Sequence, residues 1–273
     1  MSLPDWPRSA PPVPAPGWAG RARLWLRLPL LVCVLAVLLP LQLGLRGVER
    51  VFCGAARPLS PYIVQAFFRA CLAIMGIRLR IEGQPMERPG AVVGNHASWL
   101  DIFVLNAAQQ VFFISKSEVA GWPVIGFLAR AAGTLFIRRE AREARAQTEA
   151  LEARLNAGHP LLFFPEGTST DGLRVLRFKA TLFEAFFAPG LRERAYIQPV
   201  TVRYAPPDGR DAAFYGWFGD MEFAPHFAAV LAAPRGGAAH LRYHPPLKVS
   251  DHAGRKALAE EAERLVRSGM PGR

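Results

Sequence analysis

Beyond Gly76 the chain alternates short apolar runs with longer, more charged stretches, and this alternation constrains the fold more than any other feature. The apolar runs have the length and composition of strands, and the stretches between them have helical spacing. Strands are predicted at 77–82, 91–94, 111–115, 135–137, 161–164, 196–202 and 240–244, and helices at 123–133, 140–157, 254–268 and from Ser98 onward. Strands that alternate with helices favour a mostly parallel sheet with helices on both faces. We therefore predict an α/β fold, a mostly parallel sheet flanked by helices, preceded by an N-terminal membrane-associated helical segment.

That N-terminal segment is apolar enough to predict a membrane anchor. From Leu28 to Leu45 the chain carries no charge for eighteen residues. This length is at the lower edge of what crosses a hydrocarbon core of roughly 30 Å. A signal peptide is the competing interpretation, but arginines on the far flank and the lack of a small-residue cleavage pattern argue against it. Arginines flank both ends almost equally, so their distribution does not set the orientation.

A second apolar stretch, 61–76, is broken by Arg69 and is too short for an easy span. It predicts either an amphipathic helix in the membrane interface or a helix packed against the following domain. The first twenty residues contain six prolines and predict a disordered lead. We therefore divide the chain into a proline-rich lead (1–20), a membrane anchor with an interfacial helix (21–76) and an α/β domain (77–273).

Composition narrows the choice of partners. The formal net charge of +11 suits an anionic membrane surface or a phosphate-bearing substrate. Only four of the 33 basic residues are lysine, so part of this charge reflects an arginine bias in codon usage, and we discount it. No nucleic-acid signature is visible, and we expect no nucleic-acid partner. The three cysteines fit neither a disulfide framework nor a metal site.

The first stretch that predicts chemistry runs from Ala91 to Asp101. An apolar strand delivers His96 to its carboxyl end, which is where open α/β sheets hold their sites. Asp101 follows five residues later, close enough to bond one imidazole nitrogen and leave the other free to take a proton from a hydroxyl. The pattern predicts a His-Asp pair that activates an alcohol. The alternative is a core histidine with satisfied hydrogen bonds, which is the commoner outcome for such a pair alone.

A second stretch, 163–170, again follows an apolar strand, and here the chain resembles the glycerolipid acyltransferase family typified by 1-acylglycerol-3-phosphate acyltransferase. Four ordered blocks of that family can be read between about residues 77 and 250. They are Asn95-His96 to Asp101, Gly133 to Arg139, Phe164 to Thr168, and Ile197 to Val200. The first and third blocks together are highly specific. The resemblance implies transfer of a fatty acyl group from a thioester to a lipid hydroxyl by residues 77–273, in phospholipid biosynthesis.

Acyl transfer needs an activated nucleophile, a stabilised oxyanion and a positioned acceptor. His96 would be the general base, and Asp101 would hold its tautomer and orientation. No convincing serine or cysteine nucleophile is present, because 167–171 lacks the closing glycine of a hydrolase elbow. Direct attack of the lipid hydroxyl on the thioester is the simpler mechanism.

An anionic acceptor head requires cations. The resemblance implies that Arg139 binds phosphate, and a guanidinium can grip phosphate through two parallel hydrogen bonds. Arg138 is the neighbouring candidate. The alternative is that an arginine at the end of a strand is simply solvated.

The third block contributes four further candidates for acceptor binding. The resemblance assigns Glu166 and Gly167 to the acceptor, although a carboxylate repels phosphate. On physical grounds Glu166 is expected to orient Arg139 or a glycerol hydroxyl, and Gly167 allows close backbone approach. Thr168 and Ser169 are expected to donate hydrogen bonds.

We expect no metal or redox cofactor, with acyl-CoA or acyl-carrier protein as co-substrate. Both donors are cytosolic, so the domain is expected to face the cytoplasm from the inner (cytoplasmic) membrane. The first choice of reaction is formation of phosphatidic acid from 1-acylglycerol 3-phosphate, a lysophospholipid. The alternative is a lyso-ornithine lipid O-acyltransferase, a branch that 99–102, 170–172 and 215–226 resemble. A membrane-anchored lipid-binding module is the non-enzyme alternative, but such a module would not need a base.

Overall fold

The computed structural model describes residues 13, 15–137 and 144–271. The helices are α1 (Trp18–Phe52), α2 (Ser60–Met75), α3 (Leu100–Ala108), α4 (Ile125–Ala132), α5 (Ala144–Asn156), α6 (Pro189–Arg192), α7 (Phe223–Ala232) and α8 (Arg255–Ser268). The strands are β1 (Arg78–Glu82), β2 (Gly90–Gly94), β3 (Phe112–Lys116), β4 (Leu135–Ile137), β5 (Leu161–Phe163), β6 (Tyr196–Ala205), β7 (Ala238–Tyr243) and β8 (Leu247–Lys248). Two 3₁₀ segments, Ser117–Gly121 and Ala180–Phe187, lie near the site described below.

The strands form one sheet in the order β1-β7-β6-β2-β5-β3-β4, and β8 pairs with β6. The pairings are parallel except for those of β6 with β7 and with β8. The predicted mostly parallel α/β fold is therefore confirmed. Every apolar run that predicted a strand forms one. Where predicted and observed bounds can be compared they differ by at most three residues, as in β6, which continues to Ala205, and in α3, which begins at Leu100. Helices α6 and α7 and strand β8 lie where no element was predicted, and residues 140–143 of the predicted helix 140–157 lie outside the described residues.

Apolar clusters cover both faces of this sheet. Neighbouring residues of β2 point to opposite faces, as the alternation of a strand requires. Val92 belongs to the cluster under α1, α2, α3 and α7. Ala91 and Val93 belong to the cluster under α5, α8 and the 3₁₀ segment Ala180–Phe187. The strand is hydrophobic throughout because helices bury it on both sides.

Helix α1 is long and apolar enough to cross a membrane by length and composition, yet it is joined to the domain at several points. The Arg27 guanidinium donates to the carbonyls of Leu231 and Ala233 at 2.8 and 2.7 Å. Further along, the Gln42 amide donates to the Ala131 carbonyl at 3.4 Å. At about 1.5 Å per residue, these contacts lie about 22 Å apart along the helix axis. The uncharged stretch therefore runs alongside the domain, and its outward side chains are apolar, including Leu30, Val37 and Leu41.

Helix α2 packs against the domain, which is one of the two alternatives that the sequence allowed. Phe68, Cys71, Leu72 and Met75 are buried in the cluster that also contains Val92. The helix ends at Gly76, which adopts the left-handed conformation that glycine permits at a helix C-terminus. Residues 1–12 and 14 of the predicted disordered lead lie outside the described residues, and α1 already begins at Trp18.

Candidate active site

The loop that carries His96 is fixed to the sheet by its neighbour Asn95. Strand β2 ends at Gly94, and the buried Asn95 side chain continues its bonding to β6. The Asn95 amide donates to the Val202 carbonyl at 2.9 Å, and its oxygen accepts from the Val202 N–H at 2.8 Å. The Asn95 side chain thus replaces one pair of backbone hydrogen bonds between β2 and β6. The backbone at Asn95 is left free to turn toward the site.

His96 and Asp101 meet as the sequence predicts. The His96 Nδ1 lies 2.7 Å from the Asp101 Oδ2. The same oxygen accepts the N–H groups of Ala97 and Ser98 at 2.7 and 3.0 Å. The Asp101 side chain is fully buried, whereas one fifth of the imidazole is exposed. Because Nδ1 donates to the carboxylate, Nε2 is the nitrogen left to accept a proton.

Tyr204 supplies a further donor that the sequence did not predict. Its hydroxyl donates to the Asp101 Oδ1 at 2.7 Å, so the carboxylate accepts four hydrogen bonds in all. Burial and the nearby charge of Asp101 raise the pKa of Tyr204 well above its ordinary value, which keeps the hydroxyl protonated. The two residues are 103 positions apart, and nothing local in the sequence connects them.

Glu166 holds the backbone of the proposed base. Its Oε2 accepts the His96 N–H at 2.9 Å, and its Oε1 accepts the Leu176 N–H at 2.7 Å. The Thr170 N–H donates to the His96 carbonyl at 2.8 Å, so both polar backbone groups of His96 bond to the loop after β5. Burial raises the pKa of Glu166 to about 8, and its two amide hydrogen bonds oppose that shift. The Glu166 side chain therefore braces the loop that carries His96.

A cavity of about 910 Å³ opens beside the imidazole. Gly167, Thr168 and Ser169 line it together with His96, as predicted for groups that meet an acceptor. The rest of its described lining is largely apolar and includes Ile114, Val119, Ile137, Leu151, Phe163, Leu182 and Phe186. Phe164 also lines the cavity, and its ring stacks on the imidazole with centroids 4.1 Å apart. The site thus places a base at the wall of a chamber that suits an alkyl chain.

Not every predicted residue can be placed in this arrangement. Arg138 and Arg139 lie outside the described residues, and Ile137, which precedes them, lines the cavity. The expected bond between Glu166 and Arg139 is therefore untested. Gly167 has a φ of +75°, a left-handed backbone conformation that favours glycine.

Comparisons with known proteins agree with this geometry. A family model described as acyltransferase matches residues 77–203. A lyso-ornithine lipid O-acyltransferase from Rhodobacter capsulatus is 54% identical over 271 residues, which cover 99% of this chain and 98% of that protein. The chain belongs to the glycerolipid acyltransferase family. It is an acyltransferase, as the resemblance implied.

Two further comparisons place this acyltransferase more broadly. A 1-acyl-sn-glycerol-3-phosphate acyltransferase from Neisseria gonorrhoeae is 34% identical over 62% of this chain and 65% of that protein. The crystal structure of the 1-acyl-sn-glycerophosphate acyltransferase PlsC from Thermotoga maritima matches with a TM-score of 0.59 at 20% identity. That match covers 92% of this chain and 95% of the other, and it supports the fold alone.

The region that the sequence left unassigned, 205–235, supports the catalytic loop of the acyltransferase. The backbone N–H of Trp217 donates to the Ala97 carbonyl at 2.8 Å. The Trp99 indole donates to the His226 Nδ1 at 2.9 Å, and His226 Nε2 lies 3.2 Å from the Phe214 carbonyl. Burial lowers the pKa of His226, which favours the neutral imidazole that this pair of bonds requires. These contacts fix the helix that begins beside Asp101.

Replacing Tyr204 by phenylalanine is expected to change how the acyltransferase responds to pH. Without the hydroxyl, the Asp101 carboxylate becomes more basic and stabilises the imidazolium form of His96 more strongly. The acidic limb of kcat/KM against pH should move upward by up to about one unit, which corresponds to about 1.4 kcal/mol. A fall in kcat of up to about tenfold is expected, with little change in KM, because Asp101 loses one of the four hydrogen bonds that hold its orientation.

Tyr215 offers a matched control, because its ring lies against that of Tyr204 with centroids 5.5 Å apart. Tyr215→Phe removes a hydroxyl from the same ring pair without touching Asp101 and should leave the pH profile in place. If Tyr204→Phe lowers only the melting temperature and leaves the acidic limb unmoved, the hydroxyl is structural and does not position the dyad.

Proposed function

We propose that this acyltransferase is a lyso-ornithine lipid O-acyltransferase, which transfers a fatty acyl group from an acyl thioester to the hydroxyl of lyso-ornithine lipid. The observation that carries the proposal is the 54% identity to the Rhodobacter capsulatus enzyme over nearly the whole of both chains. The match to the Neisseria gonorrhoeae enzyme is lower and covers under two thirds of this chain. The first choice made from the sequence, 1-acylglycerol 3-phosphate, is therefore less well supported than the alternative.

The charges along the cavity favour a zwitterionic head group. Lys116, Glu184 and Arg255 line the cavity, and Glu184 and Arg255 form an ion pair. An ornithine acylated on its α-nitrogen keeps one carboxylate and one ammonium group, which a lining of mixed sign complements.

The reaction that fits the dyad has no covalent enzyme intermediate. His96 Nε2 takes the proton of the acceptor hydroxyl as its oxygen attacks the thioester carbonyl. The tetrahedral adduct collapses, the carbon–sulfur bond breaks, and the imidazolium returns the proton to the leaving thiolate. Asp101 stabilises the imidazolium and holds its tautomer, as in other dyads of this kind. The donor is acyl-CoA or acyl-carrier protein.

The other predicted residues act on the acceptor or on the loop. Thr168 and Ser169 donate hydrogen bonds to the acceptor head, and Gly167 allows the backbone to approach it. Arg138 and Arg139, which come directly after the cavity-lining Ile137 in the sequence, supply positive charge for the head-group carboxylate. The membrane-facing helix and the cytosolic donors support a location at the inner membrane, with the domain in the cytoplasm.

A panel of acceptors tests the proposal. The purified full-length protein is incubated with labelled acyl-CoA or acyl-carrier protein and either lyso-ornithine lipid or 1-acylglycerol 3-phosphate. We expect kcat/KM for lyso-ornithine lipid to exceed that for the phosphate acceptor at least about tenfold, a difference of about 1.4 kcal/mol. Equal or better formation of phosphatidic acid would support the first choice made from the sequence. Binding of lysolipid without acylation under any donor would support the lipid-binding module.

A further inference from the structure

A turn that follows the cavity-lining residues Lys116 and Val119 in the chain exposes a cluster of large apolar side chains. Trp122, Val124, Ile125 and Phe127 form this cluster, which we call the 122–127 turn. Val124 is 68% exposed, and the other three are 38 to 48% exposed. No described side chain outside helix α1 and the α1–α2 connection is both as apolar and as exposed as Val124.

The backbone of the turn is strained at its most exposed residue. Val124 has φ 61° and ψ −58°, and the Ile125 N–H donates to the Pro123 carbonyl at 2.6 Å. These values define a γ-turn of the rare form with positive φ, in which a β-branched residue is a true outlier. Two residues after Val124, a Cβ at Gly126 would overlap the Ala120 carbonyl oxygen. The backbone at Gly126 therefore packs too closely against Ala120 for a side chain. The fold therefore presents a valine outward in a conformation that valine avoids.

We infer that the 122–127 turn is a second membrane-contacting surface, which inserts into the interface of the same bilayer that covers the outward face of α1. Continuity between the two surfaces supports this occupant. Helix α4 begins at Ile125 within the turn, and its Ala131 carbonyl accepts the hydrogen bond from Gln42 of α1. At about 1.5 Å per residue, Ile125 and Ala131 lie about 9 Å apart along the α4 axis. The turn thus lies at one end of α4, and the other end of this short helix contacts α1.

The residue types also fit a lipid surface. Tryptophan is enriched at the level of the head groups, where its ring is partly wetted. Lys116 and Arg130 are exposed near the turn and Glu118 is the nearby acid, so the flanking charge is slightly positive and favours anionic lipid. Apolar area, however, supplies most of the binding.

This surface would bring the cavity to its lipid substrate. Lys116 and Val119 lie just before the turn, and both line the cavity beside His96. A turn seated in the bilayer would hold this wall at the level where a lysolipid presents its head group. The inference rests on membership of a family that acylates lipids and does not depend on which head group is accepted.

Depth-dependent quenching tests the contact directly. Val124→Cys is made in the full-length protein with Cys33 and Cys53, the two exposed cysteines, changed to serine, and is labelled with an environment-sensitive dye. The protein is reconstituted into vesicles of phosphatidylcholine with a minority of phosphatidylglycerol, with and without spin-labelled lipid. We expect strong quenching of the dye at position 124. The same dye at Lys256→Cys, on exposed α8, should be quenched little. Equal quenching at the two positions would overturn the inference.

Activity on two physical forms of the acceptor gives a second test. Val124→Ser combined with Phe127→Ser should lower acylation of lysolipid embedded in vesicles about tenfold, because binding scales with buried apolar area. Acylation of a short-chain, monomeric acceptor should be unchanged. Ile81→Ser removes one exposed apolar side chain on β1, at the opposite edge of the sheet, and should affect neither assay. Equal losses on both forms of acceptor, or no loss on vesicles, would overturn the inference.

Discussion

Replacing His96 by alanine is expected to lower acyl transfer by at least about 10³-fold, because this change removes the general base of the reaction. The imidazole is the partly exposed member of the dyad and lines the cavity, whereas Asp101 is fully buried behind it. Asp101 keeps three hydrogen-bond donors in the variant, so the loop should remain folded. Turnover is measured with labelled acyl donor and lysolipid, and acceptor binding by retention of lysolipid on the purified protein.

Binding distinguishes catalysis from a carrier role. We expect His96→Ala to bind lysolipid with an affinity within about threefold of the parent, since most of the apolar cavity is unchanged. His252→Asn is a matched control, because that imidazole bonds the Lys248 carbonyl and does not line the cavity. Turnover within tenfold of the parent would show that His96 is not the base. A parallel loss of binding and turnover would assign it to the acceptor pocket.

Replacing Asp101 by asparagine should lower kcat by about 10² to 10⁴-fold with little change in KM. Three N–H groups point at the Oδ2 of Asp101, so the asparagine must place its carbonyl oxygen there and its amide toward Tyr204. Shape and tautomer are then preserved, but the negative charge that stabilises the imidazolium is lost. The acidic limb of kcat/KM against pH should move downward, because the imidazolium loses its ion pair with the carboxylate.

This shift is opposite in sign to the one expected for Tyr204→Phe, which makes the two variants a paired test of the same hydrogen-bonded chain. Asp211→Asn is the control for the chemical change, because Asp211 is exposed and caps only a local turn. A normal kcat for Asp101→Asn, or a fall that follows the fraction of unfolded protein, would contradict the proposed role of the carboxylate.

The parts of the site that the sequence predicted are those that depend on local spacing. His96 and Asp101 are five residues apart, so one turn of chain brings them together. This contact does not depend on which strands neighbour β2 in the sheet. Glu166 was recognised, but its bond to the His96 backbone crosses 70 residues and depends on β2 and β5 being neighbours in the sheet. Tyr204 could not be found, because a tyrosine near the end of a strand has many ordinary roles and its partner is known only from the fold.

The strand pattern was predictable because both faces of the sheet are buried, which makes each strand a plain apolar run. Residues 205–235 resisted assignment because much of the region is irregular and is fixed by contacts to Ala97 and Trp99. The comparisons support the second choice of head group better than the first, and the sequence ranked them in the other order for a different reason. The blocks around His96 and Glu166 are those of the whole family and serve the shared reaction, so they separate its branches poorly.

The bonds that tie α1 to the domain have a practical consequence. Leu31 and the buried face of α2 share one hydrophobic cluster with Val92 of the central strand. A fragment trimmed to start at residue 77 would leave that side of the sheet bare, and exposed apolar surface of this extent drives aggregation. The N-terminal segment looks detachable in the sequence, but it is part of the folded domain. A water-soluble form of the enzyme therefore requires polar substitutions on the outer surface of α1, and deletion of α1 and α2 would not give one.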